Sequence, residues 1–150
     1  MKNDIHIKNK RAYFDYNLID KYIAGIALLG TEIKSIREGK ANMTDAFCMF
    51  IGGNLFVRNL HISEYSHSSF FHHDIKRDRA LLLKKKELKK LKVKGEEKGY
   101  TLVPLRIFVN ERGFAKIEIA LAQGKKEFDK RDSMKERDSK REMDRAMKGS

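Results

Sequence analysis

Histidine and cysteine are the residues of this 150-residue chain with the readiest chemistry, and the chain has five histidines and one cysteine. His72-His73-Asp74 is the densest group of possible metal ligands. Adjacent residues of a strand point to opposite faces, and no Cys or His cluster completes a site there. Cys48 stands between Phe47 and Met49 in an apolar run, which indicates a packed core thiol rather than a nucleophile. We therefore expect no metal, no cofactor and no catalytic residue.

Positive charge is the dominant chemical property of the chain. Lys and Arg total 33 against 21 Asp and Glu, which gives a formal net charge of +12. Such an excess points to nucleic acid, an anionic membrane surface or an acidic protein as the partner. The longest apolar run, Ile26 to Leu29, is far shorter than the roughly 20 residues of a membrane-spanning helix. No secretory signal is visible and a single cysteine fits a reducing compartment, so we expect a cytoplasmic protein.

Two basic clusters are candidates for phosphate binding. Residues 76–94 hold ten basic side chains against Asp78 and Glu87. This cluster could grip a phosphate backbone, or it could simply be the solvated face of a helix. Lys8-Asn9-Lys10-Arg11 is the second cluster, and Tyr13, Phe14 and Tyr16 follow it. Aromatic rings beside cations suit stacking on unpaired bases, although Phe14 is equally suited to a strand core.

Alternating apolar residues predict that strands dominate residues 1–123 and position these clusters. In Phe114 to Leu121, for example, Ala115, Ile117, Ile119 and Leu121 share one face and Lys116 lies on the other. Pro104 indicates an edge or a bulge in the partner strand. The predicted strands are 100–109 and 114–121 around the turn 110–113, 46–51 and 55–62 around the turn 52–54, and one long or two short strands within 13–29.

Two helices and a tail complete the predicted organisation. Residues 31–38 begin at the capping residue Thr31 and stop at Gly39, whereas residues 80–98 form a lysine-rich helix that ends at Gly99. Residues 124–150 are too poor in apolar side chains to bury a face, so we expect them to be disordered alone. The fold class that results is mainly β, a small closed antiparallel barrel with flanking helices and a basic C-terminal tail.

Short sequence strings carry more specific information than composition. Gly30-Thr-Glu-Ile-Lys-Ser-Ile-Arg37 is followed at once by Gly39-Lys-Ala-Asn42. Five more strings lie on either side: Asn9-Lys-Arg-Ala12, His61-Ile-Ser-Glu-Tyr65, Leu81-Leu-Leu83, Gly99-Tyr-Thr-Leu-Val-Pro-Leu105 and Gly124-Lys-Lys-Glu-Phe-Asp-Lys-Arg131. In this order, the seven strings resemble the small protein B family, the bacterial proteins that bind transfer-messenger RNA.

The resemblance implies a fold and a set of partners. The fold is an antiparallel β-barrel of the oligonucleotide-binding (OB) type with helices packed around it. The implied partners are the tRNA-like domain of transfer-messenger RNA, elongation factor Tu in the delivery complex, and the 70S ribosome stalled without a stop codon. The implied tail, disordered alone, becomes helical in the empty messenger channel and decoding site. We expect a monomer without a membrane partner.

The resemblance also implies two sets of functional residues. The implied RNA-binding residues are Asn9, Lys10, Arg11, Leu82, Lys116, Lys125 and Lys126. The implied residues for the tail's role in tagging are Phe128, Asp129, Lys130 and Arg131. Leu82 is suited either to contact an unstacked base or to pack in the core. The chain departs from the usual family pattern at Ile23, where a glutamate is common, and at Ala80, where a basic residue is common.

Two other function classes remain open at this point. One is a nuclease that would use His61, His72 or His73 as a general base on bound RNA. The other is a structural protein of the ribosome, which would stay bound to idle ribosomes as well as to stalled ones. A protein that binds RNA without catalysis is the hypothesis that the strings favour.

Overall fold

The computed structural model of the chain describes residues 6–64 and 73–125. Nine strands and three helices lie within these residues. The strands are β1 (His6–Lys8), β2 (Tyr16–Ile26), β3 (Ala41–Asn42), β4 (Phe47–Ile51), β5 (Asn54–Arg58), β6 (His61–Ile62), β7 (Arg79–Leu82), β8 (Tyr100–Val109) and β9 (Ala115–Gly124). The helices are α1 (Lys10–Asp15), α2 (Gly30–Arg37) and α3 (Lys85–Gly95).

Seven of the strands form one antiparallel sheet in the order β1-β8-β9-β2-β7-β5-β4, and β3 pairs separately with β6. The predominance of antiparallel strands is confirmed, but the predicted closed barrel is wrong. Within the described residues, no ladder joins β4 to β1 or β8. A cleft of about 340 Å³ lies in this seam, between the start of β4 and the first half of β8. The sheet is therefore open.

Irregularities in two long strands decide which side chains share a face. The register of β8 against β9 shifts between Pro104 and Arg106, which confirms the bulge expected at the proline. A second shift between Leu18 and Asp20 interrupts β2. One face of the sheet carries the main core, which includes Ile107, Ile117 and Ile119, all fully buried. We call this the inner face and its opposite the outer face.

The helices cover the sheet unevenly. Helix α2 packs on the inner face through the buried Ile36, and α3 packs there through the buried Leu91. Helix α1 lies on the outer face, where Ala12 joins a small second cluster with Val103, Leu105, Ala120 and Ala122. Among the described residues, no other helix packs on the outer face.

Three predicted elements differ from the structure. The helix predicted over 80–98 is shorter: residues 79–82 form β7, and α3 begins at Lys85. The segment predicted as extended from Tyr13 begins instead inside α1. The helix is held there by Ala12, which packs in the second apolar cluster. The strand predicted over 55–62 is divided at Asn59, whose φ of 57° breaks the extended path. In the first two cases tertiary packing decided against a local preference, whereas asparagine is among the residues that adopt a positive φ most readily.

The start of α2 also differs from the prediction. Leu29, not Thr31, occupies the cap position, and its N–H donates to Glu32 Oε1 at 2.8 Å. The Thr31 hydroxyl instead forms a hydrogen bond with Nδ1 of the buried His73 at 2.9 Å. Among the described residues, no helix is long and apolar enough to cross a membrane.

Candidate nucleic-acid interface

A row of paired residues crosses the open part of the outer face. Leu82 on β7 pairs with Gly25 on β2, and Gly25 pairs with Lys116 on β9. The row continues from Lys116 to Phe108 on β8 and then to His6 on β1. Directly paired residues of a sheet project from the same face, so these side chains form one surface. The structure thus brings two of the predicted RNA-binding residues, Leu82 and Lys116, into one row with Gly25 between them.

Leu82 is an exposed apolar side chain in this row. It is 61% exposed, whereas the adjacent Leu81 is 4% exposed and belongs to the core. The two alternate because they lie on a strand and not in the helix predicted over 80–98. Gly25 lets Leu82 lie close to the sheet, because a Cβ atom on residue 25 would come within 3.3 Å of Leu82 Cβ. Leu82 is therefore available for contact with a partner.

A second row on the outer face adds more charge. Ile23 on β2 pairs with Glu118 on β9, and Glu118 pairs with Arg106 on β8, which in turn pairs with Lys8 on β1. Ile23 is 46% exposed, so the residue that replaces the common glutamate contributes apolar surface. Lys116 and Lys8 form no side-chain ion pair or hydrogen bond with any described residue. Both ammonium groups are therefore free to bind phosphate.

Arg106 links the two rows. Its guanidinium lies 4.4 Å from the centre of the Phe108 ring, and its Nε lies 3.5 Å from Glu118 Oε1. Nη1 of the same side chain lies 3.4 Å from His6 Nδ1. A guanidinium held over an aromatic ring keeps its charge and presents a planar donor group. Arg106 is thus oriented before any anion binds.

Tyr13 of α1 extends this surface toward the helix. Its ring is 39% exposed, and Lys21 Nζ lies 5.9 Å from the ring centre. Partial burial raises the pKa of the Tyr13 hydroxyl, the Glu118 carboxylate raises it further, and Arg106 opposes both. The hydroxyl therefore stays protonated at neutral pH and can donate a hydrogen bond. An aromatic ring beside cations suits stacking on an unpaired base.

Asn9 has a structural function in the fold. Its side chain is 5% exposed, its amide donates to the Pro104 carbonyl at 3.0 Å, and its Oδ1 accepts from Ala12 N at 3.4 Å. It therefore caps α1 and attaches the helix to the bulge of β8. That Asn9 contacts RNA stays a prediction. The geometry favours an indirect contribution to RNA binding, in which Asn9 positions the helix that carries Lys10 and Arg11.

Lys10 and Arg11 are exposed on α1, and Arg11 forms an ion pair with Asp15 at 3.4 Å. Lys125 directly follows β9, at the opposite end of this strand from Lys116. Its N–H donates to the Asp15 carbonyl at 2.9 Å. The predicted cations consequently lie along the whole length of β9 rather than in one pocket. Lys126, Phe128, Asp129, Lys130 and Arg131 lie outside the described residues.

The ten basic residues of 76–94 do not form one stripe. Arg79 is fully buried, and both Arg79 and Arg77 donate to the fully buried Glu32 carboxylate. The exposed lysines of α3 belong to a helix that packs on the inner face, so they project away from the row of Leu82 and Lys116. The single cluster of the sequence is thus divided between a buried network and a second, separate basic surface.

The buried network ties α2 to β7. Besides the two arginines, the Leu29 N–H donates to Glu32, and Arg79 Nη1 donates to the Leu60 carbonyl at 2.7 Å. Burial alone would raise the pKa of Glu32, but these donors outweigh it and hold the pKa below its usual value. Arg79 lies three residues before Leu82 on β7, so this network positions the strand that carries Leu82.

The histidines of the nuclease hypothesis do not form a reactive site in the described residues. His73 is 4% exposed, and its two ring nitrogens are bonded to the Thr31 hydroxyl and, at 2.9 Å, to the Ile62 carbonyl. A carbonyl accepts only, so Nε2 carries the proton and Nδ1 accepts from Thr31. His61 lies on β6, and His72 lies outside the described residues. Among those residues, no three His, Cys, Asp or Glu side chains are grouped as metal ligands.

Sequence reasoning missed Arg106 and Phe108. The alternating pattern of the sequence could have identified them. Arg106 and Phe108 are two residues apart on β8 and share a face, as Lys116 and Glu118 do on β9. The bulge after Pro104 obscured this pattern by changing which residues of β8 face outward. Cys48, in contrast, behaves as expected, because burial raises the pKa of its thiol to about 12.

Comparison with protein families gives one match that spans nearly the whole chain. The model of the family described as "SmpB protein" matches residues 6–149. This range includes every residue of the two rows and α1.

Individual relatives agree with the family match. An SsrA-binding protein of Phocaeicola vulgatus is 58% identical over 144 residues, which cover 96% of each chain. One of Parabacteroides distasonis is 55% identical over 148 residues, which cover 99% of this chain and 97% of the relative. A solved structure described as "tmRNA-SmpB: a journey to the center of the bacterial ribosome" superposes with a TM-score of 0.69 at 49% identity, covering 82% of this chain and 86% of the other.

Proposed function

The chain belongs to the SmpB protein family, and from this premise we propose that it binds transfer-messenger RNA in trans-translation on ribosomes. The outer face of the sheet is the observation that carries the proposal. It combines free lysines, an oriented arginine and the exposed apolar Leu82 on one surface. The sequence relationship identifies the RNA, and this surface supports the proposal that the RNA is held on the outer face.

The two kinds of side chain would have different functions. Lys116, Lys8 and Arg106 would bind backbone phosphates, which fixes the register of the RNA and makes affinity depend on salt. Leu82 and Tyr13 would contact bases that are not stacked in a helix, because only such bases offer a free face. We therefore propose that the tRNA-like domain of the RNA binds the outer face. Lys10, Arg11 and Lys125 would contact it at the end of this face that α1 covers.

The C-terminal residues would act on the ribosome rather than on the RNA. We propose that residues 124–150 enter the empty messenger channel and decoding site and become helical there, with Phe128, Asp129, Lys130 and Arg131 as the contact motif. The described residues support this division in one respect, because β9 delivers the chain out of the sheet at Lys125. We further propose that the protein is a cytoplasmic monomer and that its open antiparallel sheet is of the OB type. Elongation factor Tu would join the delivery complex.

We propose that the protein is not an enzyme. The hydrogen bonds of His73 hold both of its ring nitrogens, so the geometry gives no support to a general base there. Its role would be to bind and to position, while the ribosome carries out the chemistry.

A tagging assay tests the proposed division of labour. A translation extract depleted of its own SmpB protein is supplied with a message that lacks a stop codon, with transfer-messenger RNA and with this protein. The full chain should restore tagging of the stalled product. Truncation after Gly124 should spare most of the RNA affinity and abolish tagging. A second truncation after Lys125 is the control, because it retains the bond from the Lys125 N–H to Asp15.

Two results would contradict this proposal. Tagging by the chain truncated after Gly124 would show that residues 125–150 are not needed on the ribosome. Loss of RNA binding together with tagging, in a truncated chain that still folds, would show that the division between sheet and tail is wrong.

A further inference from the structure

The turn between β8 and β9 presents one large aromatic ring to solvent. Phe114 is 63% exposed and directly precedes β9. An exposed apolar side chain requires no special explanation by itself. The surroundings of Phe114 therefore decide whether it has a function.

The turn that carries Phe114 is rigid. Asn110 Oδ1 accepts hydrogen bonds from Arg112 N at 3.1 Å and from Phe114 N at 2.9 Å. The Asn110 N–H in turn donates to the Phe114 carbonyl at 2.9 Å. Gly113 has a φ of 85°, a conformation that glycine adopts without strain. The ring thus projects from a fixed backbone, and little conformational entropy would be lost when it binds a partner.

Two arginines lie at the turn that carries the ring. Arg37 of α2 donates from Nη2 to the Gly113 carbonyl at 3.0 Å, which places its guanidinium beside the turn, and Arg112 is exposed on the turn itself. A groove of about 290 Å³ separates α2 from the turn. The described residues that line it include both arginines and no carboxylate: Ile26, Leu28, Ile33, Arg37, Arg112, Gly113, Phe114 and Ala115.

We propose that Phe114 stacks on an unpaired base of the bound RNA, while Arg37 and Arg112 neutralise the phosphates next to that base. The site continues the row of Leu82 and Lys116 around the end of the sheet, so one strand of RNA could occupy both. Two cations around an apolar surface favour a nucleotide over an apolar peptide, which would gain nothing from the charges. This inference rests on the proposed function and extends the RNA interface to the β8–β9 turn.

The absence of tryptophan from the chain permits a direct test. Phe114→Trp creates a single fluorescent reporter whose ring can still stack. With the tRNA-like domain of transfer-messenger RNA as the probe, this variant should bind as tightly as the wild type and its emission should be quenched at saturation. Phe114→Ala should bind about 5- to 100-fold more weakly, the effect expected for one lost stack.

Val93 provides a control of similar exposure, because it is 67% exposed on α3, the helix that packs on the inner face away from the row of Leu82 and Lys116. Val93→Ala should leave the affinity unchanged, and the emission of Val93→Trp should not be quenched. Thermal unfolding establishes that each variant folds. If Phe114→Ala binds as tightly as the wild type, or if the Phe114→Trp emission is unaffected at saturation, the stacking site is refuted and the proposed function stands. If the wild type fails to bind this RNA, the proposed function itself is refuted.

Discussion

Leu82 illustrates how much depends on the position of one side chain. Two roles suited it from the sequence, a contact with an unstacked base or a place in the core. The structure exposes Leu82 and buries Leu81, its neighbour on β7. Gly25 lies beneath Leu82 and has no side chain to cover it. Leu82 is therefore free to contact a base without contributing much to stability.

Substitution of the two leucines separates these roles. Leu82→Ala should change the free energy of unfolding by about 0.5 kcal/mol or less, as at other surface positions. It should weaken binding of the tRNA-like domain about 5- to 30-fold, because an apolar contact of about 1–2 kcal/mol is lost.

Leu81→Ala is the control for this prediction. It should destabilise the protein by about 2–5 kcal/mol, since it opens a cavity in the core. Urea denaturation and filter binding measure the two quantities. A large loss of stability in Leu82→Ala, with unchanged RNA affinity, would show that Leu82 is a packing residue.

At the scale of elements, the position of β7 depends on a buried ionic network. Glu32 at the start of α2 accepts from Arg77, Arg79 and the Leu29 N–H. Such a network stabilises the fold little when complete, yet removal of one partner leaves an uncompensated buried charge. The short strand that carries Leu82 is thus held in place by an interaction remote from the interface.

Glu32→Gln tests this network through its dependence on pH. At pH 7 the variant should be less stable than the wild type by about 3 kcal/mol or more, because Arg79 loses its buried counter-charge. The pKa of Glu32 is lowered in the folded protein, so the carboxylate stabilises the fold above its unfolded pKa of about 4.3. That stabilisation is lost as the pH falls below this value toward the folded pKa.

The difference in stability between wild type and Glu32→Gln should therefore shrink between pH 5 and pH 3. Urea midpoints at several pH values measure it. Other carboxylates titrate equally in both proteins, so they cancel from the comparison. A difference that stays constant down to pH 3 would indicate that the network does not depend on the charge of Glu32.

The elements also show where sequence reasoning works and where it does not. Strand β8 was predicted with its exact ends, because alternation and the turn at residues 110–113 act locally. The ends of α3 and the strand β7 were not predicted, because leucines 81–83 fit a helical pattern equally well. Only the pairing of β7 with β2 and β5 selects the strand. The row from Leu82 to His6 depends on this long-range pairing, so it could not be predicted.

For the whole molecule, the residues that give the net charge of +12 are divided among regions with different properties. The outer face carries free cations beside aromatic and apolar side chains, whereas the lysines of α3 project from the other side of the sheet. Residues 124–150 hold ten basic and seven acidic side chains and are nearly balanced. Charge alone therefore explains attraction to RNA in general, and the shape of the outer face must account for selection of one RNA.

A competition experiment distinguishes selective binding of one RNA from binding by charge alone. The labelled tRNA-like domain of transfer-messenger RNA is bound to the full chain at moderate salt, and unlabelled tRNA-like domain or ordinary tRNA is then titrated in. We expect the tRNA-like domain to compete far more effectively than ordinary tRNA of similar length and charge. Equal competition by the two RNAs would mean that the protein recognises only phosphate charge, and it would refute selective recognition by the outer face.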